Sequence, residues 1–156
     1  MHIVGGFSID TSARADNAGA DGVQVTFDYG QPPSESSTLG QELGSLHIKV
    51  IDGFISSFLH YYECHRTAIL RPSLEEPGQY CHTDPYPYLN DEKVLLTVIA
   101  AHLKQVQDNL LIIGYWVLDD WMQWDVGSAR QILIKIHQLM QQYTPGRPAF
   151  AGSEEV

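Results

Sequence analysis

The sequence has few basic residues and no cluster of them. Its 156 residues include 9 lysines and arginines against 19 aspartates and glutamates, which gives a formal net charge of −10. Nucleic acids and anionic membrane surfaces are bound through clustered lysine and arginine side chains. The charge therefore argues against both as partners and favours a neutral or cationic ligand.

The sequence also lacks an apolar run long enough to cross a membrane, which takes about 20 residues. Its longest apolar stretch, residues 110–118, has the length of a buried strand. Residues 1–6 show neither the basic region nor the long apolar region of a secretory signal. We expect no membrane span and no signal peptide in this chain.

Cysteine is scarce, with Cys64 and Cys81 as the two examples. A cysteine pair that brackets a segment of the chain suggests a disulfide, and a disulfide implies an oxidising compartment and thus a secreted or extracellular origin. Two free thiols are the alternative. His65 and His82 follow these cysteines, but adjacent Cys and His side chains rarely face one ion and the spacing fits no common zinc finger.

What the sequence does contain is a repeated pattern of strand, aspartate and polar or helical segment. The apolar stretches cover residues 3–9, 23–27, 48–51 and 110–118. They end at Asp10, Asp28, Asp52 and the pair Asp119 and Asp120. A fifth stretch, residues 148–151, begins shortly before a polar tail at residues 153–156.

Helical periodicity fills the segments between these strands. Apolar residues recur every third or fourth position over residues 129–143, after a capping Ser128, and over residues 91–107, after a capping Asn90. Leu39 and Leu43 indicate a shorter helix, and residues 13–20 a weaker one.

Alternating strands and helices predict an α/β fold with parallel pairing through right-handed crossovers. We expect one domain over residues 1–152, and two architectures suit it. One is a partial (β/α)8 barrel of about four and a half units, and the other is a five-stranded doubly wound open sheet. We favour the barrel because four consecutive strands end in a carboxylate. All strand ends converge in a barrel, whereas only two or three meet at the switch point of an open sheet.

Residues 54–89 show neither a helical nor a strand period. They contain four prolines, seven aromatic residues and both cysteines. A long irregular connection in a compact domain is usually functional or disordered. We expect an ordered lid loop over the strand ends, with Glu63 as a candidate substrate contact.

The three tryptophans all lie around the aspartates at positions 119 and 120. Tryptophan faces stack on sugar rings, and hydrolysis of a glycosidic bond requires two carboxyl groups. We predict Asp119, Asp120 and Asp28 as catalytic residues. The predicted substrate contacts are Asp10, Tyr29, Asp52, Glu63, Trp116, Trp121 and Trp124. Alternatively, the tryptophans belong to the core and the aspartates cap helices, which is the better interpretation for Asp125.

Three segments resemble the strand ends of glycoside-hydrolase-type (β/α)8 barrels, namely residues 7–10, 25–28 and 115–121. The resemblance covers the organisation of most of the chain as the N-terminal half of such a barrel. It includes no diagnostic motif, since the chitinase-like Asp-x-x-Asp-x-Asp-x-Glu pattern is absent. In many such enzymes the nucleophile follows the seventh strand, which this chain does not contain.

The resemblance implies a truncated, carbohydrate-active domain that hydrolyses O-glycosidic bonds and binds a carbohydrate ligand. A non-catalytic binding or assembly module is the alternative. In that case the half-barrel pairs with a second copy, as a homodimer, or with a missing C-terminal half, because its edge strands need partners.

A carboxylate cluster can instead hold Mg²⁺ or Ca²⁺, as in phosphoryl-transfer sites. Such a site needs a lysine near the strand ends, whereas Lys49 lies inside the third strand. We therefore predict no metal and no cofactor. His47, His102 and His137 are expected to be surface or packing residues.

Overall fold

The computed structural model describes residues 3–6, 23–28, 31–70, 89, 91–118 and 126–151. Within them, the strands are β1 (Ile3–Gly6), β2 (Val23–Asp28), β3 (Lys49–Asp52), β4 (Ile112–Leu118) and β5 (Ala149–Ala151). The helices are α1 (Thr38–Ser45), α2 (Phe54–Leu70), α3 (Glu92–Val106) and α4 (Val126–Tyr143).

The strands form one parallel sheet in the order β1-β2-β3-β4-β5. This confirms the α/β class with parallel pairing. Right-handed crossovers that always step to the next strand in the same direction leave their helices on one face of a sheet. Consistent with this, α3 packs against both α2 and α4. The order of the described strands contains no reversal, whereas a doubly wound sheet has one at its switch point.

The hydrophobic core lies between the sheet and this helix layer. The strands contribute Val50, Ile112, Tyr115 and Val117. The helices contribute Ile55 and Leu59 of α2, Leu95, Ile99 and Leu103 of α3, and Ile132, Ile136 and Met140 of α4. Within each helix these positions are three or four residues apart, so one face of each helix is buried.

Strand β4 carries an irregularity that sets which residues face each other. Val50 pairs with Ile112 but Ile51 pairs with Gly114, so β4 has one extra residue at this point, as in a β-bulge. The shift brings Tyr115 into register with Asp52.

Most element predictions agree with the structure. The five strands lie where the apolar stretches are, and α1 contains Leu39 and Leu43. Helix α4 begins at Val126, three residues before the predicted start. The cap of α3 is Asp91 rather than Asn90, because the Asp91 carboxylate accepts from the backbone N–H groups of Lys93 and Val94. The weak helix predicted at residues 13–20 lies outside the described residues.

The prediction of an irregular lid over residues 54–89 is wrong for its first half. Helix α2 occupies Phe54–Leu70. Its buried positions, Phe54, Ile55, Phe58, Leu59 and Tyr62, repeat at helical spacing and face the core. Residues 71–88 of the predicted lid lie outside the described residues.

Candidate functional site

The candidate site is the carboxyl edge of the sheet, by which we mean the ends of β2, β3 and β4 at Asp28, Asp52 and Leu118. Asp28 is the Cα partner of Asp52, and Asp52 is the Cα partner of Tyr115. Neighbouring strands lie about 4.8 Å apart, so the backbone positions of the two aspartates are adjacent. Asp119 directly follows the last residue of β4.

Asp52 is fully buried, and both of its carboxylate oxygens are engaged. Its Oδ1 accepts a hydrogen bond of 2.9 Å from the backbone N–H of Phe54, the first residue of α2. Its Oδ2 lies 2.6 Å from Nε2 of His102. The bond to Phe54 forms because Asp52 lies just before α2, and an aspartate in that position can accept from the unpaired N–H groups of the first helical turn.

His102 comes from α3 and is also buried, with 3% of its surface exposed. Its ring stacks on the ring of Phe54, with centroids 3.7 Å apart and planes 3° from parallel. Its second nitrogen, Nδ1, is buried and has no hydrogen-bond partner among the described residues. Asp52 therefore joins three elements: β3, α2 and α3.

A second buried polar group lies one strand away. The Tyr115 hydroxyl is 3.0 Å from the guanidinium of Arg147, which also donates to the carbonyl oxygens of Val106, Gln107 and Asn109. Burial raises the pKa of the Tyr115 phenol, and hydrogen bonds with Thr144 and Arg147 offset part of that rise. Arg147 thus ties the end of α3 to β4.

Of the predicted catalytic and substrate-binding residues, the structure places four. Asp28 ends β2, and Glu63 lies on α2 rather than in a loop. Asp52 is buried against the helix layer, and Trp116 is half-buried on β4. In the strand alternation Trp116 faces away from the side to which Tyr115 points.

The remaining predicted residues lie outside the described residues. These are Asp10, Tyr29, Asp119, Asp120, Trp121, Trp124 and Cys81. Cys64 lies on α2, and its disulfide with Cys81 stays a prediction. Across the described part of the chain, no group of three or more His, Cys, Asp and Glu residues could hold a metal ion, and no helix is long and apolar enough to span a membrane.

The interpretation of His102 as a surface or packing residue missed its pairing with Asp52. A signal for it exists in the sequence. His102 falls within the apolar stripe of α3 formed by Leu95, Ile99, Leu103 and Val106. A histidine in such a stripe faces the core, and a buried imidazole needs a polar partner.

Comparison with protein-family models, with curated proteins and with solved structures finds no match to this chain.

Proposed function

We propose that this chain is a carbohydrate-active domain of glycosidase type, built as the N-terminal half of a (β/α)8-type barrel. The observation that carries the proposal is the unbroken parallel strand order, in which β2 and β3 end at adjacent aspartates and β4 ends directly before two more. Function in parallel α/β folds is found at this end of the strands.

The helix layer supports the barrel part of the proposal. In a (β/α)8 barrel each strand pairs with the next in parallel, and all helices cover the outer face. The described strands follow the same order, and α2, α3 and α4 pack side by side. β1 and β5 each pair with one described neighbour, so further strands could extend the sheet at either side.

Glycoside hydrolysis assigns distinct roles to two carboxyl groups. One protonates the glycosidic oxygen, and the other attacks the sugar or activates a water molecule. We assign these roles to Asp119 or Asp120 together with Asp28. The sugar platform consists of Trp116, Trp121, Trp124 and Tyr29, and further contacts come from Asp10 and Glu63.

Asp52 has a different role in this proposal. With no exposed surface and both oxygens engaged, it supports the carboxyl edge from beneath and does not touch the sugar. This revises its predicted role as a substrate contact.

The burial of Asp52 favours a second candidate, a non-catalytic carbohydrate-binding or assembly module. With Asp52 committed to His102, fewer strand-end carboxylates are available for acid and base chemistry. A second copy or a C-terminal half-barrel would then complete the sheet.

The test is release of reducing sugar from hexasaccharides of cellulose, chitin, starch and xylan. We expect Asp119→Asn to lower the rate by about 100-fold or more, because general acid–base catalysis contributes about that much. Asp108→Asn is the matched control, since it removes one exposed carboxylate four residues before β4, at the opposite edge of the sheet.

Equal rates for the wild type and Asp119→Asn would exclude Asp119 from catalysis. Binding of a hexasaccharide without any release of reducing sugar would favour the non-catalytic candidate. Failure to bind any of the four would contradict both the glycosidase and the carbohydrate-binding module, and would leave only the assembly module.

A further inference from the structure

Helix α3 is attached to the sheet by polar contacts at two points. The first is His102 on Asp52. The second is Arg147, which binds the carbonyl oxygens of Val106 and Gln107 at the end of α3 and also the hydroxyl of Tyr115. Because Asp52 and Tyr115 are Cα partners on neighbouring strands, the contacts form a closed ring through α3, β4 and β3.

The contact between His102 and Asp52 is shielded from water. The two side chains are 1% and 0% exposed. A hydrogen bond in such surroundings is stronger than one at the surface, and breaking it leaves a buried carboxylate without its partner. The pair therefore holds its geometry more firmly than an exposed ion pair would.

We assign the proton of this contact to the imidazole on the basis of the surrounding hydrogen bonds. An Oδ2–Nε2 separation of 2.6 Å requires a hydrogen between the two atoms. The Asp52 carboxylate already accepts from Phe54, and the other ring nitrogen of His102 has no partner among the described residues. The tautomer with its proton on Nε2 is the one that lets Asp52 accept from both sides.

We propose that His102 is a positioning residue for the carboxyl edge. Acting through Asp52, it fixes the connection at Gly53, where the chain leaves β3 and enters α2. Asp28 is the Cα partner of Asp52, so the same contact sets the position of the neighbouring strand end. The identity of the ligand at this edge rests on the proposed function, whereas the positioning itself does not.

The test compares His102→Leu with His102→Gln. Leucine is apolar and removes the donor, while the glutamine amide can still donate to Asp52. The readout is hydrogen exchange of the Phe54 amide, whose acceptor is Asp52. The control is the Ile48 amide, which donates to Leu43 at the other end of the β3 segment.

We expect exchange at Phe54 through local opening to accelerate by about tenfold or more in His102→Leu, beyond the acceleration at Ile48 that reports the loss of global stability. His102→Gln should restore most of the protection at Phe54. Unchanged exchange at Phe54, or equal acceleration at both amides, would overturn the positioning role.

A second readout is affinity for the four hexasaccharides. We expect His102→Leu to weaken binding by about tenfold and His102→Gln to weaken it less. A wild-type protein that binds none of them would contradict the proposed function and leave the exchange result intact.

If His102→Leu does not fold, the wild type and His102→Gln still decide the matter. A nitrogen-15 NMR spectrum of the wild-type protein should show that Nε2 of His102 carries a proton. The resonance of that proton should lie at low field because of the hydrogen bond. A proton on Nδ1 and none on Nε2 would overturn the proposal. A His102→Gln variant that loses as much protection from exchange at Phe54 as at Ile48 would also overturn it.

Discussion

Among single residues, Asp52 constrains the fold because its carboxylate has no exposed surface. A buried carboxylate without partners costs several kcal/mol. His102 and the Phe54 amide offset that cost. The contact between Asp52 and His102 therefore stabilises the native state mainly because its loss would leave a buried carboxylate without a partner.

We predict that His102→Leu lowers the free energy of unfolding by about 3–5 kcal/mol, because it removes one partner of a buried pair. His137→Leu is the control. His137 is an exposed histidine on α4, so its replacement should change stability by less than about 0.5 kcal/mol. Urea unfolding measures both, and similar losses in the two variants would contradict a special role for the pair.

Tyr115 gives a prediction for alkaline pH. Burial raises the pKa of its phenol above the ordinary value of about 10, so the folded state holds this proton more tightly than the unfolded state. Stability should then fall as pH rises above about 10, by up to about 1.4 kcal/mol per pH unit.

Tyr115→Phe should remove this part of the alkaline loss. At neutral pH the variant should lose about 1–2 kcal/mol, because Arg147 loses one acceptor. Unfolding free energies measured at several pH values test this prediction. An alkaline slope that is the same with and without the phenol would contradict it.

The sequence predicts Asp52 as a strand-end residue but not its partner. His102 is 50 positions further along the chain, and one sequence gives no distance between residues so far apart. Arg147 is a similar case, because its acceptors are main-chain carbonyl oxygens, which every residue possesses.

Among the helices and strands, α2 shows how composition can hide a helix. Pro72, Pro77, Pro85 and Pro87 all follow Leu70, the last residue of α2. Averaging over residues 54–89 mixed these prolines with a helical stretch whose aromatic residues and serines weaken the apolar periodicity. The buried spacing from Phe54 to Tyr62 becomes evident when the segment is divided before the first proline.

The β4–β5 contact depends on a glycine. A Cβ atom at Gly114 would lie 2.5 Å from the ring of Phe150 and 2.8 Å from the carbonyl oxygen of Pro148. We predict that Gly114→Ala lowers stability by about 1–3 kcal/mol, since the neighbours of an overpacked site must shift.

Gly44→Ala is the matched control for this prediction. Gly44 lies in α1, and nothing lies within 4 Å of the position its Cβ would take. Alanine is the better helix former by about 0.5–1 kcal/mol, so this variant should be as stable as the wild type or more stable. Thermal unfolding of the two variants tests both, and a stabilised Gly114→Ala would show that β5 does not pack this closely.

At the scale of the whole molecule, the important feature is the side of the sheet on which each successive strand is added. The alternation of strands and helices predicts parallel pairing, because a crossover helix is the usual connection between parallel strands. It does not predict whether each new strand joins the same side, since either side buries the same apolar residues. The structure shows addition on one side throughout the described strands.

This order explains why the carboxyl edge could be predicted only in part. The backbone proximity of Asp28 and Asp52 follows from parallel pairing of neighbouring strands. The alternation of side chains along β3 determines that Asp52 faces the helix layer. The extra residue in β4 shifts the register between β3 and β4 and so determines which residue of β4 lies beside Asp52.

The most direct test of the account is a titration of the nitrogen-15-labelled wild type with the four hexasaccharides, followed by the shifts of backbone amide signals. We predict that one of them moves signals at Asp28, Gly53 and Leu118, and leaves Ile48 and Ile112 at the amino ends of β3 and β4 unchanged. Shifts confined to the amino ends, or none with any hexasaccharide, would contradict a carbohydrate site at the carboxyl edge.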